Sequence, residues 1–372
     1  MVADKSTADV ISLHERSRRA AEQPGVGQRS GVYGRHHTPP ADQHGRTPVP
    51  PGMSPAQVAD QRPSHAHARD RNAGPHRKLL QRIADASVYC RRRLTGDYTV
   101  DEFGFDRQFS ETIAMPILRT LFTTWFRVEV SGIQHLPDTG AALLVSNHAG
   151  VLPLDGLMLS VAVREKHPNH RAVRLLAPEI VFDTPILGDI ARKAGCTLAC
   201  RADVHRLLSM GELTATFPEG YAGLGKRFKD RYKLQTFADD GLIATAIRAR
   251  TPIVPCTIVG SEEIYPMIAD LAPLARLLRL PYFPITPVWP LTGPAGLVPL
   301  PSKWYIEFGR PISTAGTKHR VHDDPMAVAD LTGQVRATIQ QTLHRLLADR
   351  PARFSWSLAT GQPAATTQTG DR

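Results

Sequence analysis

The sequence predicts an α/β protein with an open, mostly parallel sheet flanked by helices and preceded by an N-terminal helical segment. Short apolar runs alternate with helical patterns between about residues 128 and 259, as expected for strands joined by crossover helices. Polar residues follow directly after three of those runs: His148, Arg201 and Glu219. Because active sites of such sheets gather at the carboxyl ends of strands, we expect the three residues to share one site.

Composition suggests where the domain boundaries fall. The chain has 372 residues, enough for one large domain or two modest ones. Residues 1–75 are rich in Arg, His, Pro, Gly and Ser and poor in large apolar residues, which predicts a disordered basic tail. We predict a helical segment over 76–127, the α/β domain over 128–349 and a polar tail over 350–372.

The N-terminal segment carries two helical patterns, over 76–94 and 106–127. The second has a broad apolar face that includes Ile113, Ile117 and Trp125, with Pro116 expected to start or kink part of the helix. Such a face suits either core packing or an interfacial helix, since Trp and Phe favour the headgroup boundary of a membrane.

The α/β domain is predicted from alternating elements. The predicted strands are 128–133, 141–145, 173–177, 195–200, 213–217, 253–259 and 304–308. The predicted helices are 157–167, 185–192, 204–210, 241–250, 268–280 and 326–347.

The charge of the chain favours acidic partners. The formal net charge is +10 and the pI is about 9.7, which suits anionic lipid headgroups or phosphorylated substrates. The basic regions hold few aromatic residues and no zinc-finger or RNA-binding signature, so we expect no nucleic-acid partner. The four cysteines lack histidines at zinc spacing, and we expect no metal site.

Membrane contact is expected to be peripheral. Charged residues interrupt any apolar signal region near the N-terminus, and the uncharged run 280–302 is broken repeatedly by proline, so we predict no spanning helix. The apolar residues of 268–304 either cover the sheet or form a surface for lipid or an acyl chain, and we favour the lipid role. We therefore predict a cytoplasmic protein bound to the inner face of an anionic membrane.

The stretch 146–156 carries a His and an Asp after a predicted strand. His148 at the mouth of a strand can act as a general base near neutral pH. Asp155 can hold the second ring nitrogen and stabilise the imidazolium. A loop histidine beside an unrelated helix-capping Asp would give the same local pattern.

Three further motifs follow in order. They are the Gly195–Arg201 segment, Phe217-Pro218-Glu219-Gly220, and the apolar, Pro-containing strand 251–260. Together with Asn147-His148 and Asp155, this ordered set resembles the glycerolipid acyltransferase family, which includes the lysophosphatidic acid acyltransferases. The resemblance covers about residues 126–311, and four motifs in the right order are more specific than any one of them.

The resemblance implies a glycerol-phosphate acyltransferase-like fold and transfer of a fatty acyl group from acyl-CoA or an acyl carrier protein. The acceptor is a hydroxyl of a glycerolipid, with lysophosphatidic acid or another lysophospholipid expected first. It implies that His148 is the base, that Asp155 orients it, and that no cofactor beyond the thioester co-substrate is needed. The residues that the resemblance assigns to substrate binding are Asn147, Arg201, Phe217, Pro218, Glu219 and Gly220. Arg201 and Glu219 could instead form a structural ion pair.

Two departures from the family pattern affect the acceptor and the base. Six residues separate His148 from Asp155, where the family has four. The Glu-Gly is followed by Tyr-Ala-Gly at 221–223 instead of Thr-Arg-Ser, so a phosphate-binding Arg is missing. Lys226, or a cation among residues 227–231, could supply its charge. Alternatively, the acceptor is a neutral mono- or diacylglycerol.

Two rival interpretations use the same residues. The stretch 220–226 matches a phosphate-binding P-loop, but Arg227 stands where that loop needs a Ser or Thr for magnesium, so we do not expect nucleotide hydrolysis. A Gly-rich basic loop could still receive phosphates of the substrates. The other rival is a non-catalytic protein that binds lipid surfaces and keeps the fold.

Overall fold

The structure, a computed structural model, describes residues 84, 87–96, 98–238, 241–314 and 324–350. The predicted basic tail 1–75, and the predicted polar tail apart from Arg350, lie outside the described residues. Residues 87–95 are helical, within the predicted helix 76–94.

Seven strands of the described chain form one sheet in the order β1-β9-β6-β2-β5-β3-β4. The strands are β1 (Glu129–Ser131), β2 (Ala142–Ser146), β3 (Val173–Ala177), β4 (Cys196–Leu198), β5 (Leu213–Thr216), β6 (Ile253–Val259) and β9 (Tyr305–Phe308). All pairs are parallel except β6 with β9. The predicted open, mostly parallel sheet is confirmed, and all seven predicted strands are present.

The central strands are buried on both faces. Every residue of β2 and β6 is buried, which explains why these strands appear in the sequence as continuous apolar runs. Side chains alternate along β2: Leu144 packs with Met158 in one core, whereas Leu143 packs with Val204 and Val335 in the other. Helices therefore cover both faces of the sheet.

The helices join and cover the strands. They are α1 (Arg107–Phe109), α2 (Met115–Thr120), α3 (Leu154–Lys166), α4 (Glu179–Asp183), α5 (Leu187–Lys193), α6 (Arg201–Ser209), α7 (Gly220–Leu224), α8 (Gly241–Arg248), α9 (Ala272–Leu277) and α10 (Pro325–Asp349). Short 3₁₀ turns occur at Ile133–His135, Phe228–Asp230, Ser261–Glu263 and Gly293–Leu297.

Helices α4 and α7 are not predicted from the sequence, and the predicted helix 268–280 is wrong at both ends. Only α9 is helical there, and it is preceded by β7 (Ala269–Asp270), which pairs antiparallel with β8 (Pro284–Ile285). The Asp270 carboxylate accepts a hydrogen bond from the N–H of Phe283 at 2.9 Å. Pairing between the two ends of this segment therefore replaces the outer turns of the expected helix.

The predicted helix 106–127 is a continuous helical segment with two wide turns, at Ser110–Ala114 and Leu121–Trp125. The first wide turn directly precedes α2, where Pro116 lacks the N–H that an α-helical bond needs. One side of the segment is core, since Met115 and Phe122 are buried. Ile117 and Trp125 are exposed, so only part of the apolar face is used for packing.

Residues 261–304, which we call the β6–β9 connection, lie between the two antiparallel strands of the sheet. The Tyr282 hydroxyl donates to the carbonyl of Val151 at 2.6 Å, so the connection covers the loop that follows β2. The connection also exposes a set of large apolar side chains: Ile268, Leu271, Leu277, Leu278, Leu280, Leu291, Leu297 and Val298. Among the described residues, no helix has the length and apolar character required to cross a bilayer.

Candidate active site

The residues predicted to share a site lie at the carboxyl edge of the parallel strands. His148 follows β2, which lies between β5 and β6 in the sheet. Glu219 follows β5 and Glu262 follows β6, so their strands flank that of His148. Parallel register brings the ends of these three strands to the same edge.

His148 and Asp155 are in direct contact. The Nδ1 atom of His148 lies 2.7 Å from Oδ2 of Asp155, and the Asp155 side chain has no solvent exposure. The same carboxylate accepts the N–H groups of Ala149 at 2.9 Å and Gly156 at 2.8 Å. Asp155 is in the first turn of α3, where the helix dipole favours a negative charge.

The loop from 147 to 155, which we call the His148 loop, accommodates the two extra residues by turning back on itself. Gly150 adopts φ +83°, and the N–H of Leu154 bonds to the carbonyl of Leu152 at 2.7 Å. A Cβ on Gly150 would also lie 3.0 Å from the carbonyl oxygen of Ser261, so a larger residue there would be both strained and crowded. The longer spacing therefore does not prevent the His–Asp contact.

This pairing determines what the imidazole can do. A carboxylate at Nδ1 keeps the proton on that nitrogen and leaves the lone pair on Nε2. The His148 side chain is 10% exposed, so part of it reaches the surface of the protein. The arrangement is chemically competent to accept a proton at Nε2.

Two residues pack directly on His148. The ring of Phe217 lies 4.7 Å from the imidazole, centroid to centroid. A Cβ on Gly223 would lie 2.8 Å from the His148 carbonyl oxygen and 2.9 Å from its Cβ. Gly223 is thus required for the close approach of α7, and the P-loop-like stretch 220–226 is mostly a short helix packed against His148.

Asn147 holds the end of β2 to β6. Its Nδ2 donates to the carbonyl of Ile258 at 2.9 Å, and its Oδ1 accepts the N–H of the same residue at 2.8 Å. Both ends of the amide are therefore occupied. Substrate binding by Asn147 stays a prediction, whereas its contact with β6 is a feature of the structure.

Glu219 and Lys226 are both buried and paired with each other. The Lys226 Nζ lies 3.3 Å from Oε2 of Glu219, and the Oε1 of Glu219 accepts the N–H of His148 at 2.8 Å. The partners of Glu219 in the structure are Lys226 and the N–H groups of His148 and Gln235. Pro218 accepts the N–H of Ala238 at 2.8 Å, and Gly220 begins α7 with φ +53°.

Arg201 lies farther along the same edge. It is the exposed first residue of α6, which follows β4. In the strand order, β4 is three strands from β2, which corresponds to about 14 Å. The guanidinium packs against Gly241, where a Cβ would lie 2.3 Å from Nε. The structure therefore places Arg201 at the same edge of the sheet as His148 but three strands away, and its part in a shared site stays a prediction.

Two residues near His148, Glu262 and Tyr282, are not among those predicted from the sequence. Glu262 could have been found by the criterion that identified His148 and Glu219, since it follows β6 directly. Burial, partly opposed by Lys226, raises the pKa of Glu262 to about 7. Burial, with the negative charge of Asp155 nearby, raises the pKa of Tyr282. No local pattern in the Pro-rich run signals the role of Tyr282.

Comparisons with known proteins bear on this site. Residues 127–259 match the family model described as Acyltransferase. The chain is 54% identical over 351 residues to the uncharacterized protein Rv0502 of Mycobacterium tuberculosis, covering 94% of this chain and 98% of that protein. It is 52% identical over 358 residues to the uncharacterized protein ML2427 of Mycobacterium leprae, covering 94% and 96%.

A solved structure is also similar. It is the crystal structure of the 1-acyl-sn-glycerophosphate acyltransferase PlsC from Thermotoga maritima, with a TM-score of 0.44 and 16% identity, covering 75% of this chain and 98% of that one. The segment matched by the family model contains His148, Asp155, Arg201 and Glu219 and ends with β6. The resemblance inferred from the four ordered motifs is confirmed, and residues 127–259 of this chain belong to the acyltransferase family.

Proposed function

We propose that this protein transfers a fatty acyl group from acyl-CoA or an acyl carrier protein to a hydroxyl of a glycerolipid. Lysophosphatidic acid, or another lysophospholipid, is the proposed acceptor. The observation that carries the proposal is the buried His148–Asp155 hydrogen bond, located at the strand edge within the segment that matches the family model.

In this mechanism the acceptor hydroxyl loses its proton to Nε2 of His148 as its oxygen forms a bond to the thioester carbonyl carbon. Asp155 stabilises the resulting imidazolium through Nδ1. The tetrahedral intermediate then expels the thiolate, which receives the proton from His148. General-base assistance of this kind is typically worth about 10²–10⁴-fold in rate.

The developing oxyanion needs a donor close to His148. The N–H groups of His148 and Ala149 already donate to Glu219 and Asp155. Within the described residues the N–H of Gly150 has no acceptor, which makes it the candidate donor. A single preorganised donor of this type contributes about 10²–10³-fold to kcat.

Two observations bear on the acceptor. A cleft next to the His148 loop is lined by three cationic residues, Lys226, Arg227 and Arg231, and by one acidic residue, Glu262. The excess of positive charge favours an anionic group near the base. Lys226 forms ion pairs with two buried carboxylates, Glu219 and Glu262. It is therefore less suited to replace the missing phosphate-binding Arg. That second observation keeps a neutral mono- or diacylglycerol as the alternative acceptor.

The test is acyl transfer from long-chain acyl-CoA and from an acylated carrier protein to four acceptors: lysophosphatidic acid, another lysophospholipid, a monoacylglycerol and a diacylglycerol. We expect transfer by the wild type and a loss of at least about 10²-fold in His148→Ala, since the general base is removed. His205→Ala, an exposed histidine in α6, is the matched control and should keep full activity. Transfer unaffected by His148→Ala would exclude the mechanism.

We also propose that the protein works at an anionic membrane surface. Large apolar side chains are exposed in the segments that form or cover the site: Leu152 in the His148 loop, Tyr221 in α7, and Leu277, Leu278 and Leu280 in the β6–β9 connection. Exposed apolar groups beside basic residues suit the interface of an anionic bilayer. Flotation with liposomes should increase with anionic lipid and decrease with salt. Leu277→Ser/Leu278→Ser should reduce it, and Met326→Ser, on α10, should not.

The rival function is a non-catalytic protein that binds lipid surfaces. Liposome binding without acyl transfer to any of the four acceptors from either donor would favour it. The intact His148–Asp155 pair is the observation that favours the enzyme.

A further inference from the structure

A buried ionic cluster lies beneath the His148 loop and is not used by the proposed chemistry. Lys226 lies between two carboxylates, with its Nζ 3.3 Å from Oε2 of Glu219 and 3.1 Å from Oε1 of Glu262. The side chains of Lys226, Glu219 and Glu262 are 5%, 0% and 4% exposed. Buried charges persist only when they are paired, so each of these three groups depends on the others.

Glu219 connects the cluster to the base. Its Oε1 accepts the main-chain N–H of His148 at 2.8 Å, and its Oε2 accepts the N–H of Gln235 at 2.6 Å. Hydrogen bonds from N–H groups to a carboxylate are stronger than those between neutral groups. The position of the His148 main chain is therefore tied to the position of one buried carboxylate.

Glu262 ties the cluster to the neighbouring strand. It follows β6, and its Oε2 accepts the N–H of Tyr232. The cluster thus joins the segments that follow β2, β5 and β6 with the segment 226–235. These contacts use both oxygens of Glu219 and leave it no exposed surface for a substrate.

We propose that Glu219, Lys226 and Glu262 act together as positioning residues that fix the main chain of His148, and that Glu219 and Lys226 do not bind the acceptor. The proposal rests on the proposed function, in which His148 is the base. It departs from the expectation that Lys226 supplies the charge of a phosphate-binding Arg.

The consequence of removing Lys226 follows from the charges. Lys226→Met leaves Glu219 and Glu262 without their shared cation, so the uncompensated negative charges favour outward movement of Glu219. This movement weakens the hydrogen bond that Glu219 accepts from the N–H of His148. A displacement of about 1 Å at a catalytic group can cost on the order of 10²-fold in rate.

The test measures kcat and KM of Lys226→Met with lysophosphatidic acid and with monoacylglycerol. We expect kcat to fall by about 10–10²-fold on both acceptors by the same factor, with KM nearly unchanged. The double variant Lys226→Met/Glu262→Gln should recover part of the loss, because it removes the second uncompensated carboxylate. Lys233→Met, which removes an exposed lysine paired with Asp230, is the matched control.

A rise in KM confined to the phosphorylated acceptor would overturn the proposal, since it would show that Lys226 binds phosphate. If Lys226→Met does not fold, Glu219→Gln serves in its place, with the same expected kcat loss on both acceptors.

Amide hydrogen exchange over 146–155 tests positioning without any activity assay. Exchange should be faster in Lys226→Met than in wild type or Lys233→Met, and unchanged exchange would overturn the proposal. Failure of the proposed function would appear differently, as absent transfer in the wild type or transfer unaffected by His148→Ala.

Discussion

The two sides of the carboxyl edge of the sheet differ in how their polar residues are held. On the side of β2, β5 and β6, the carboxylates of Asp155, Glu219 and Glu262 are buried, and each accepts two or more protein donors. On the side of β4, Arg201 is exposed at the start of α6. A buried carboxylate that accepts several donors has one position, whereas an exposed side chain is accessible to a ligand. We infer that the first side performs the chemistry and the second receives the acceptor.

Among the variants that test the difference between the two sides, Asp155→Asn is expected to have the largest effect on activity. The variant keeps the shape of the side chain but can donate to Nδ1, which would move the ring proton to Nε2 and remove the base. We expect kcat to fall by about 10²–10⁴-fold with little change in KM. Asp189→Asn, in the first turn of α5, is the matched control and should be nearly neutral. Steady-state kinetics that show full activity in Asp155→Asn would refute the assigned orientation of His148.

An intermediate effect is expected from Arg201→Met, which tests the exposed side. Loss of a charged hydrogen bond to phosphate should raise KM for lysophosphatidic acid by about tenfold and leave KM for monoacylglycerol unchanged. Arg206→Met removes a cation from the same helix that pairs with Glu102, and it should not discriminate between the acceptors. An equal fall in kcat on both acceptors would assign Arg201 to the rigid side instead.

The smallest effect is expected from Glu262→Gln on thermal stability. The pKa of Glu262 is raised from 4.5 to about 7, because burial penalises its charge more than Lys226 and the Tyr232 N–H favour it, with Glu219 adding repulsion. The folded state therefore binds more protons than the unfolded state between these values, so this contribution to stability is complete below about pH 4.5 and is lost as pH rises through 7.

Melting temperatures of wild type and Glu262→Gln at pH 5 and pH 8 test this prediction. The melting temperature of the variant minus that of the wild type should be more positive at pH 8 than at pH 5. The same difference at both values would mean that Glu262 does not titrate in this range. Glu102→Gln, which changes an exposed carboxylate paired with Arg206, is the matched control.

Much of the fold could be predicted because the central strands are buried on both faces. Strands 173–177 and 253–259 coincide with β3 and β6, since short, mainly apolar runs between turn residues are typical of strands buried on both faces of a sheet. The region 268–280 could not be predicted in the same way. Its local pattern favours a helix, but hydrogen bonding between Asp270 and Phe283, thirteen residues apart, overrides that preference.

In the candidate site, too, some features could be predicted from the sequence and others depend on contacts between distant residues. The order of the motifs and their place after strands were enough to group His148 with Glu219, because parallel strands share one carboxyl edge. The sequence did not reveal that the side chains of Asn147 and Glu219 form hydrogen bonds with main-chain groups of the protein. Nor did it reveal that Tyr282 contacts the His148 loop. Hydrogen-bond partners are separated by up to 131 residues in these cases, and local pattern carries no information at that range.

The sequence by itself determined the fold class, the family and the residue types available for catalysis, because these depend on apolar periodicity and on short ordered motifs. Only the tertiary structure decided which of those side chains remain available to a substrate. That outcome depends on burial and on competition for each donor and acceptor. The Glu219 carboxylate accepts two main-chain N–H groups and pairs with a buried lysine. Both of its oxygens therefore bind protein groups, although its motif implies substrate binding.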